Sequence, residues 1–255
     1  VLPGIFIGVA APIVIQGLLP IFESLFTVTT DITLLELSDL NRPLLRELAI
    51  RAPGSYTHSL IMANLSEAAA QRIGASPLLA RVGCYYHDIG KMLKPEYFTE
   101  NQGLRGGRNP HDHLTPSMSA LIIDSHVKDG IELAEENGLP KAIVDLIPQH
   151  HGTTVLEYFY NRAIELGVEN VRRDDFRYDG PKPQTKEAGI LMLADSVESA
   201  ARTLTERTPS RVRQLVRRIV QQKFTAGELD ECPLTLRDLH AIEESFIPVL
   251  MGTLH

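Results

Sequence analysis

Helical punctuation recurs through this sequence, and it leaves little room for any fold that is not built from helices. "SPLLARVGCYYHDIGK" opens with Ser76 as a candidate N-cap and Pro77 in the first turn. "TPSMSALIIDSHVKDGIELAEENG" repeats the device with Thr115 and Pro116 and stops at Gly138. "SYTHSLIMANLSEAAAQRIG" has apolar residues at helical spacing up to Gly74, and "PKAIVDLIPQHHG" runs from Pro140 to Gly152. Four further segments follow: "VLEYFYNRAIELG", "TKEAGILMLADSVESAARTL", "SRVRQLVRRIVQQKF" and "TLRDLHAIEESFIPVLMG". "SDLNRPLLRELAIRAPG" reads as a shorter helix, with Asn41 as N-cap, Pro43 in its first turn and Pro53-Gly54 ending it. No alternation of period two is long enough for a sheet. The expected class is an all-α helical bundle of roughly eight to ten helices.

The first 26 residues differ from the rest. Val1 to Phe22 contains no charged residue, long enough to cross a hydrocarbon core of about 30 Å. It has no basic n-region and no evident cleavage site, so it reads as a poor signal peptide. Residues 1–26 are therefore expected to be the last transmembrane segment of a longer protein, as the initial Val in place of Met also fits. Residues 27–40, Thr-rich and β-branched, read as a junction with a short extended piece, and 41–255 as the helical domain. Arg42, Arg46 and Arg51 follow the apolar run and none precedes it, which places the domain on the cytoplasmic side of the cell membrane. The net charge of −7 argues against a broad nucleic-acid surface. Cys84 and Cys232 have no CxxC spacing and give neither a disulfide framework nor a thiolate zinc site.

Polar residues stand where the helical pattern asks for apolar ones. His58, His87, Asp88, His126, His150, His151 and Asp195 all lie in strongly apolar segments. A single histidine there would be an ordinary core residue. Five histidines and two aspartates need a common partner, because buried charge is costly unless paired or metal-bound. Seven ligands are too many for one ion with open coordination. A carboxylate can bridge, so two ions sharing Asp88 are the natural partition. Nitrogen and oxygen donors without thiolate suit iron or manganese, with zinc left open. Two polar loops follow: 95–113, directly after the His87-Asp88 pair, and 167–184, read as a solvated excursion. The basic run from Arg211 to Lys223 is read as a solvated helix face, and His240 and His255 as structural or surface residues.

The ordered set "PGSYTHS", "HDIGK", "ENQ", "NPHD", "HVKDGIELA", "IPQHHGTT", "ADSVESAAR" and "LDECPLTLRDL" resembles the HD-domain phosphohydrolase superfamily. It is most similar to the cytoplasmic HD domain of the seven-transmembrane HD proteins, whose PgpH-type members hydrolyse cyclic di-AMP. The resemblance runs from about Asn41 to the C-terminus. It implies an HD-type helical bundle with one metal at His58, His87, Asp88 and Asp195, and a second at Asp88, His126, His150 and His151. It further implies a binuclear phosphodiesterase that converts cyclic di-AMP to linear pApA by in-line attack of a metal-bridging hydroxide. Lys91, one turn beyond His87, is the candidate for charge donated to a phosphoryl oxygen, which makes Asp88 and Lys91 the catalytic candidates. Asn109 and His111 are candidate substrate contacts beside Lys91. Lys94 departs from an arginine expected in many relatives.

Two rival readings stay open. A cyclic di-GMP hydrolase of the HD-GYP kind would carry a downstream Gly-Tyr-Pro, which this sequence lacks, and a nucleotide phosphatase is a further HD option. A nucleotide-sensing module that binds without cleaving would be expected to have lost ligands, and all seven are present. Neither the oligomeric state nor the purine preference is legible.

Overall fold

A computed structural model describes residues 28–103, 109–206 and 208–253, together with 11, 12, 14, 17 and 18. Among the described residues the architecture is helical, with one isolated β-bridge between Val155 and Arg177. Helix α1 (Asp31–Leu37) precedes α2 (Pro43–Arg51) and the long α3 (Pro53–Ile73). Next come α4 (Pro77–Tyr86), a 3-10 turn (Ile89–Leu93) and the single turn α5 (Thr99–Gln102). Helix α6 (Pro116–Glu136) is as long as α3, and α7 (Lys141–Val144) and α8 (Leu146–Gln149) are short. The chain closes with α9 (Glu157–Glu165), α10 (Lys186–Ala201), α11 (Pro209–Thr225) and α12 (Leu236–Thr253).

The expected caps form. Ser76 Oγ accepts from the Leu79 amide, and Thr115 Oγ1 from that of Met118. Gly74 closes α3 with φ +67°, a left-handed conformation that costs glycine little. Two local expectations are corrected. Junction 27–40 holds a helix rather than an extended piece: Thr30 Oγ1 caps α1, and Leu34 and Leu37 bury against the core. Asn41 does not cap α2; its side chain turns to Asp39, Arg42 takes the capping position, and Pro53 opens α3 besides following the end of α2.

The core explains why the site is rigid. Helix α10 buries seven consecutive residues from Ala188 to Ala194, so it is enclosed on all sides and carries Asp195 into the interior. Helices α3 and α4 pack against each other and against α10, with Met62, Leu65, Ile190, Leu191 and Met192 fully buried. A smaller cluster of Val155, Phe159, Ala163 and Phe176 seats loop 167–184, which the sequence reading left in solvent. The 3-10 turn meets α6 backbone to backbone at Gly90. A Cβ there would lie 2.0 Å from the His126 carbonyl oxygen. That closeness brings the residue after His87 within reach of α6.

No helix among the described residues is long and apolar enough to cross a membrane. The expected transmembrane segment 1–26 falls largely outside the described residues, as does His255.

Candidate metal centre

The seven ligands predicted from sequence converge. His58 comes from α3, His87 and Asp88 from the end of α4, His126 from α6, His150 and His151 from the end of α8, and Asp195 from α10. Asp88 is fully buried and stands between two groups. Its Oδ2 lies 3.1 Å from His87 Nε2 and 3.8 Å from His58 Nε2. Its Oδ1 lies 3.4 Å from His126 Nε2 and 3.7 Å from His150 Nε2. Asp195 closes the first group through His58 Nε2 at 3.1 Å and stands 3.8 Å from Nδ1 of His151 in the second. The ligand atoms of His58, His87 and Asp195 lie within 4.8 Å of one another, and so do those of His126, His150 and His151.

Each tautomer can be read from the partner of Nδ1. The Nδ1 atoms of His87, His126 and His150 sit 2.7, 2.5 and 2.5 Å from the carbonyl oxygens of Cys84, Ile123 and Ile147. A carbonyl only accepts, so each Nδ1 carries a proton and Nε2 is the atom that each ring turns toward the centre. His58 does the same through a carboxylate, with Nδ1 2.5 Å from Glu198 Oε2. Arg202 holds that carboxylate at 3.1 Å.

The Nε2 atoms of His58, His87, His126 and His150 and Oδ1 of Asp88 are buried without a hydrogen-bond partner, while Asp88 Oδ2 meets the Lys91 ammonium. Burial holds the imidazoles of His126 and His150 toward the neutral form, His150 down to about 3, and it and the neighbouring His150 do the same to His151. Asp88 resists its own burial because His87 and Lys91 hold it well below the usual carboxylate range. Burial also opposes charge on His58, but Asp195 and Glu198 outweigh it and raise the ring to about 9. A cation at Nε2 would take the place of that second proton. Orphaned lone pairs around a bridging carboxylate, with no thiolate among the donors, fit divalent ions.

Lys91 sits inside this field. Its ammonium is 2.6 Å from Asp88 Oδ2 and 2.9 Å from Glu100 Oε1, and 5.0 Å from the centroid of the Phe98 ring. Burial disfavours the charge, yet Asp88 and Glu100 raise the ammonium well above its ordinary range. Glu100 in turn is lowered to about 2, with Lys91 overcoming burial. Glu100 also accepts from Ser55 Oγ, and Asn101 Oδ1 accepts from the first amides of α3 at Gly54 and Ser55. The "ENQ" segment therefore clamps Lys91 and the start of α3 together.

The other predicted contacts have partners in their own loop. Asn109 Oδ1 accepts from the His111 amide and from Gln102 Nε2. His111 is buried between Tyr97 and Phe159, with Nε2 2.9 Å from the Tyr97 carbonyl oxygen. Asn109 Oδ1 and His111 Nε2 thus shape the loop, while His111 Nδ1 is buried without a hydrogen-bond partner. Lys94 reaches Ser125 and Asp129 on α6. Three residues at the centre had no role in the sequence reading. Glu198 is three residues beyond Asp195 on the same helix, a spacing that puts both on one face. Glu100 carried no local signal beyond "ENQ". Tyr178 stacks on His151 at 4.1 Å and 16°, so part of loop 167–184 is the wall of the site rather than a solvated excursion.

Comparison with known proteins agrees with this geometry. The HD domain family model matches residues 55–200. The chain belongs to the HD-domain family. The match spans every ligand named above, and the family's metal dependence agrees with the donor set. The chain is 47% identical over 248 residues to the cyclic-di-AMP phosphodiesterase PgpH of Listeria monocytogenes, covering 97% of this chain and 34% of that protein. It is 46% identical over 254 residues to the Bacillus subtilis PgpH, covering 100% of this chain and 35% of that protein. It thus spans about a third of the length of the curated relatives it matches. The crystal structure of the L. monocytogenes PgpH HD domain in complex with cyclic-di-AMP superposes with a TM-score of 0.80 at 48% identity, covering 85% of this chain and all of that one.

Proposed function

We propose that this chain is a metal-dependent phosphodiesterase that opens the ring of a cyclic dinucleotide, cyclic di-AMP to linear pApA. The observation that carries the reading is Asp88, whose two oxygens face opposite ligand groups in a fold shared with a cyclic-di-AMP-bound relative. His58, His87, Asp88 and Asp195 would hold one ion, and Asp88, His126, His150 and His151 the other, iron or manganese by donor type. Such a pair supplies activation of the attacking water and neutralisation of charge on the phosphoryl oxygens.

The chain's own residues do the rest. The Nδ1 hydrogen bonds fix four rings, so the donors are in place before anything binds. Lys91 stays charged near neutral pH because of Asp88 and Glu100, and it acts as a fixed positive charge beside the phosphate rather than as a proton donor. Access is one-sided: the side chains of His151 and Asp195 are 17% and 13% exposed, while those of His87, Asp88 and His150 are fully buried. The scissile phosphodiester would approach past His151 and Asp195. We further place the domain at the cytoplasmic face of a membrane, supported by the charge-free run from Val1 to Phe22 and the arginines after it.

The test is to incubate the purified domain with Mn²⁺ and, separately, cyclic di-AMP, cyclic di-GMP and deoxynucleoside triphosphates. Linear pApA is expected from cyclic di-AMP and is lost in Asp88→Ala. No linear product from any cyclic dinucleotide would sink the reading. One metal ion or fewer per reconstituted chain would count against the shared-carboxylate arrangement. Fractionation of the full-length protein tests the membrane placement, which fails if it stays in the soluble fraction.

A further inference from the structure

The basic run on α11 splits into two populations. Arg211, Arg213 and Arg217 point outward and pair with Glu206, Glu244 and Glu243. The inward face of the helix is Val212, Leu215, Val216, Ile219 and Val220. Lys223 follows at the next inward position, three and four residues beyond Val220 and Ile219. Its ammonium donates to Thr154 Oγ1 at 2.8 Å, three residues past His151. Among the described residues no carboxylate lies within 4 Å of it in an ion pair. Glu228, whose field reaches it, is already engaged: both of its carboxylate oxygens accept from Thr153, one from the amide and one from the hydroxyl. Arg177 fixes the same strip from the other side by donating to the Thr153 carbonyl oxygen.

A cation brought inward and given only one hydroxyl as partner has unused donors. Burial pushes its charge off, and only the fields of Asp195 and Glu228 oppose this. Its neighbours place it at the rim on which the centre opens, because Thr154 ends the His150–His151 strip and Asp195 is the more exposed aspartate. A cyclic dinucleotide carries two phosphodiesters, and the metal centre with Lys91 accounts for one.

We propose that Lys223 binds the non-reacting phosphodiester of the cyclic dinucleotide, at the rim formed by Thr154, His151 and Asp195. The assignment rests on the function proposed above. It makes Lys223 a substrate-binding residue that favours a two-phosphate ring over a simple diester, with no part in bond cleavage.

The test compares wild type, Lys223→Met and Lys223→Arg on cyclic di-AMP and on bis(p-nitrophenyl) phosphate, which has one phosphate. Lys223→Met should raise KM for cyclic di-AMP about 10- to 100-fold, the worth of one charge-assisted hydrogen bond, with kcat within about 3-fold. The same variant should leave bis(p-nitrophenyl) phosphate turnover, metal content and melting temperature unchanged, and Lys223→Arg should recover most of the loss. An unchanged KM for cyclic di-AMP overturns the assignment. So does an equal loss on both substrates, which would put Lys223 at the reacting phosphate or in the fold. Wild type that cleaves the simple diester but no cyclic dinucleotide would instead overturn the function proposed, and this assignment with it.

Discussion

Gly90→Ala should separate the 3-10 turn from α6 and take the bridging carboxylate with it. The added methyl would lie 2.0 Å from the His126 carbonyl oxygen, 2.5 Å from the Gly130 nitrogen and 2.9 Å from the His126 carbonyl carbon. Ordinary carbon–oxygen contact is about 3.3 Å, so the seam must open by about 1.3 Å. Nothing soft can yield, because every one of these atoms is backbone inside α6. On the other side Ile89 is fully buried. Overpacking of this kind costs about 1–3 kcal/mol, and an all-backbone clash belongs at the upper end, near 3 kcal/mol. The small gain from a stiffer unfolded chain, about 0.4–1 kcal/mol, does not offset it. Asp88 Oδ1 is only 3.4 Å from His126 Nε2, so a shift of that size also spoils the second ligand group. Urea unfolding of the metal-free domain measures the first effect, and metal titration the second. Gly103→Ala, with nothing within 4 Å of its new methyl, is the matched control and should stay within about 0.5 kcal/mol of wild type. If Gly90→Ala unfolds within about 1 kcal/mol of wild type and still takes up two ions, the backbone seam does not position Asp88.

Asp88→Asn keeps the shape and removes the bridging charge; phosphodiesterase activity should fall at least 10²-fold, to about 1% or less, with fewer ions retained on gel filtration. Glu198→Gln should weaken one of two metal-binding steps about 10- to 100-fold by calorimetry, and a loss spread equally over both steps would refute its link to His58. In the metal-free domain, His150 has its folded pKa depressed to about 3 from 6.5, so the unfolded chain binds the extra proton. Its share of stability is full above pH 6.5 and lost as pH falls toward 3, at up to about 1.4 kcal/mol per pH unit. His58, raised to about 9, acts oppositely: its share is present below pH 6.5 and fades as pH rises through 9. Denaturation midpoints of metal-free protein at pH 7 and 5 should therefore fall on acidification, and less so in His150→Gln.

The helices and the ligands were legible for different reasons. Helix starts were readable because Ser76 and Thr115 cap through local bonds, which sequence spacing dictates. The seven candidate ligands stood out because a charged or ring-nitrogen group in an apolar helix has few other uses. What escaped were partners set by tertiary approach. Thr30 caps a helix in a stretch whose β-branched residues favour extension, and burial of Leu34 and Leu37 outweighs that preference. Tyr178 reaches His151 only because Phe176 anchors its loop in a small core of its own. Lys223 lay inside a basic run whose arginines are solvated, and only its place in the helical turn turns it inward.

The imidazole anchors are not alike in what can change them. His87, His126 and His150 are each steered by the carbonyl three residues back, an atom that every amino acid supplies. No substitution at Cys84, Ile123 or Ile147 removes that acceptor. His58 is steered by a side chain, Glu198, which a single codon change can shorten, neutralise or delete. Three of the four anchors are thus hard-wired into the main chain, while the fourth is an adjustable mount. Variants that retune one ion's affinity without disturbing the other should be sought on α10, at Glu198 and at Arg202 behind it.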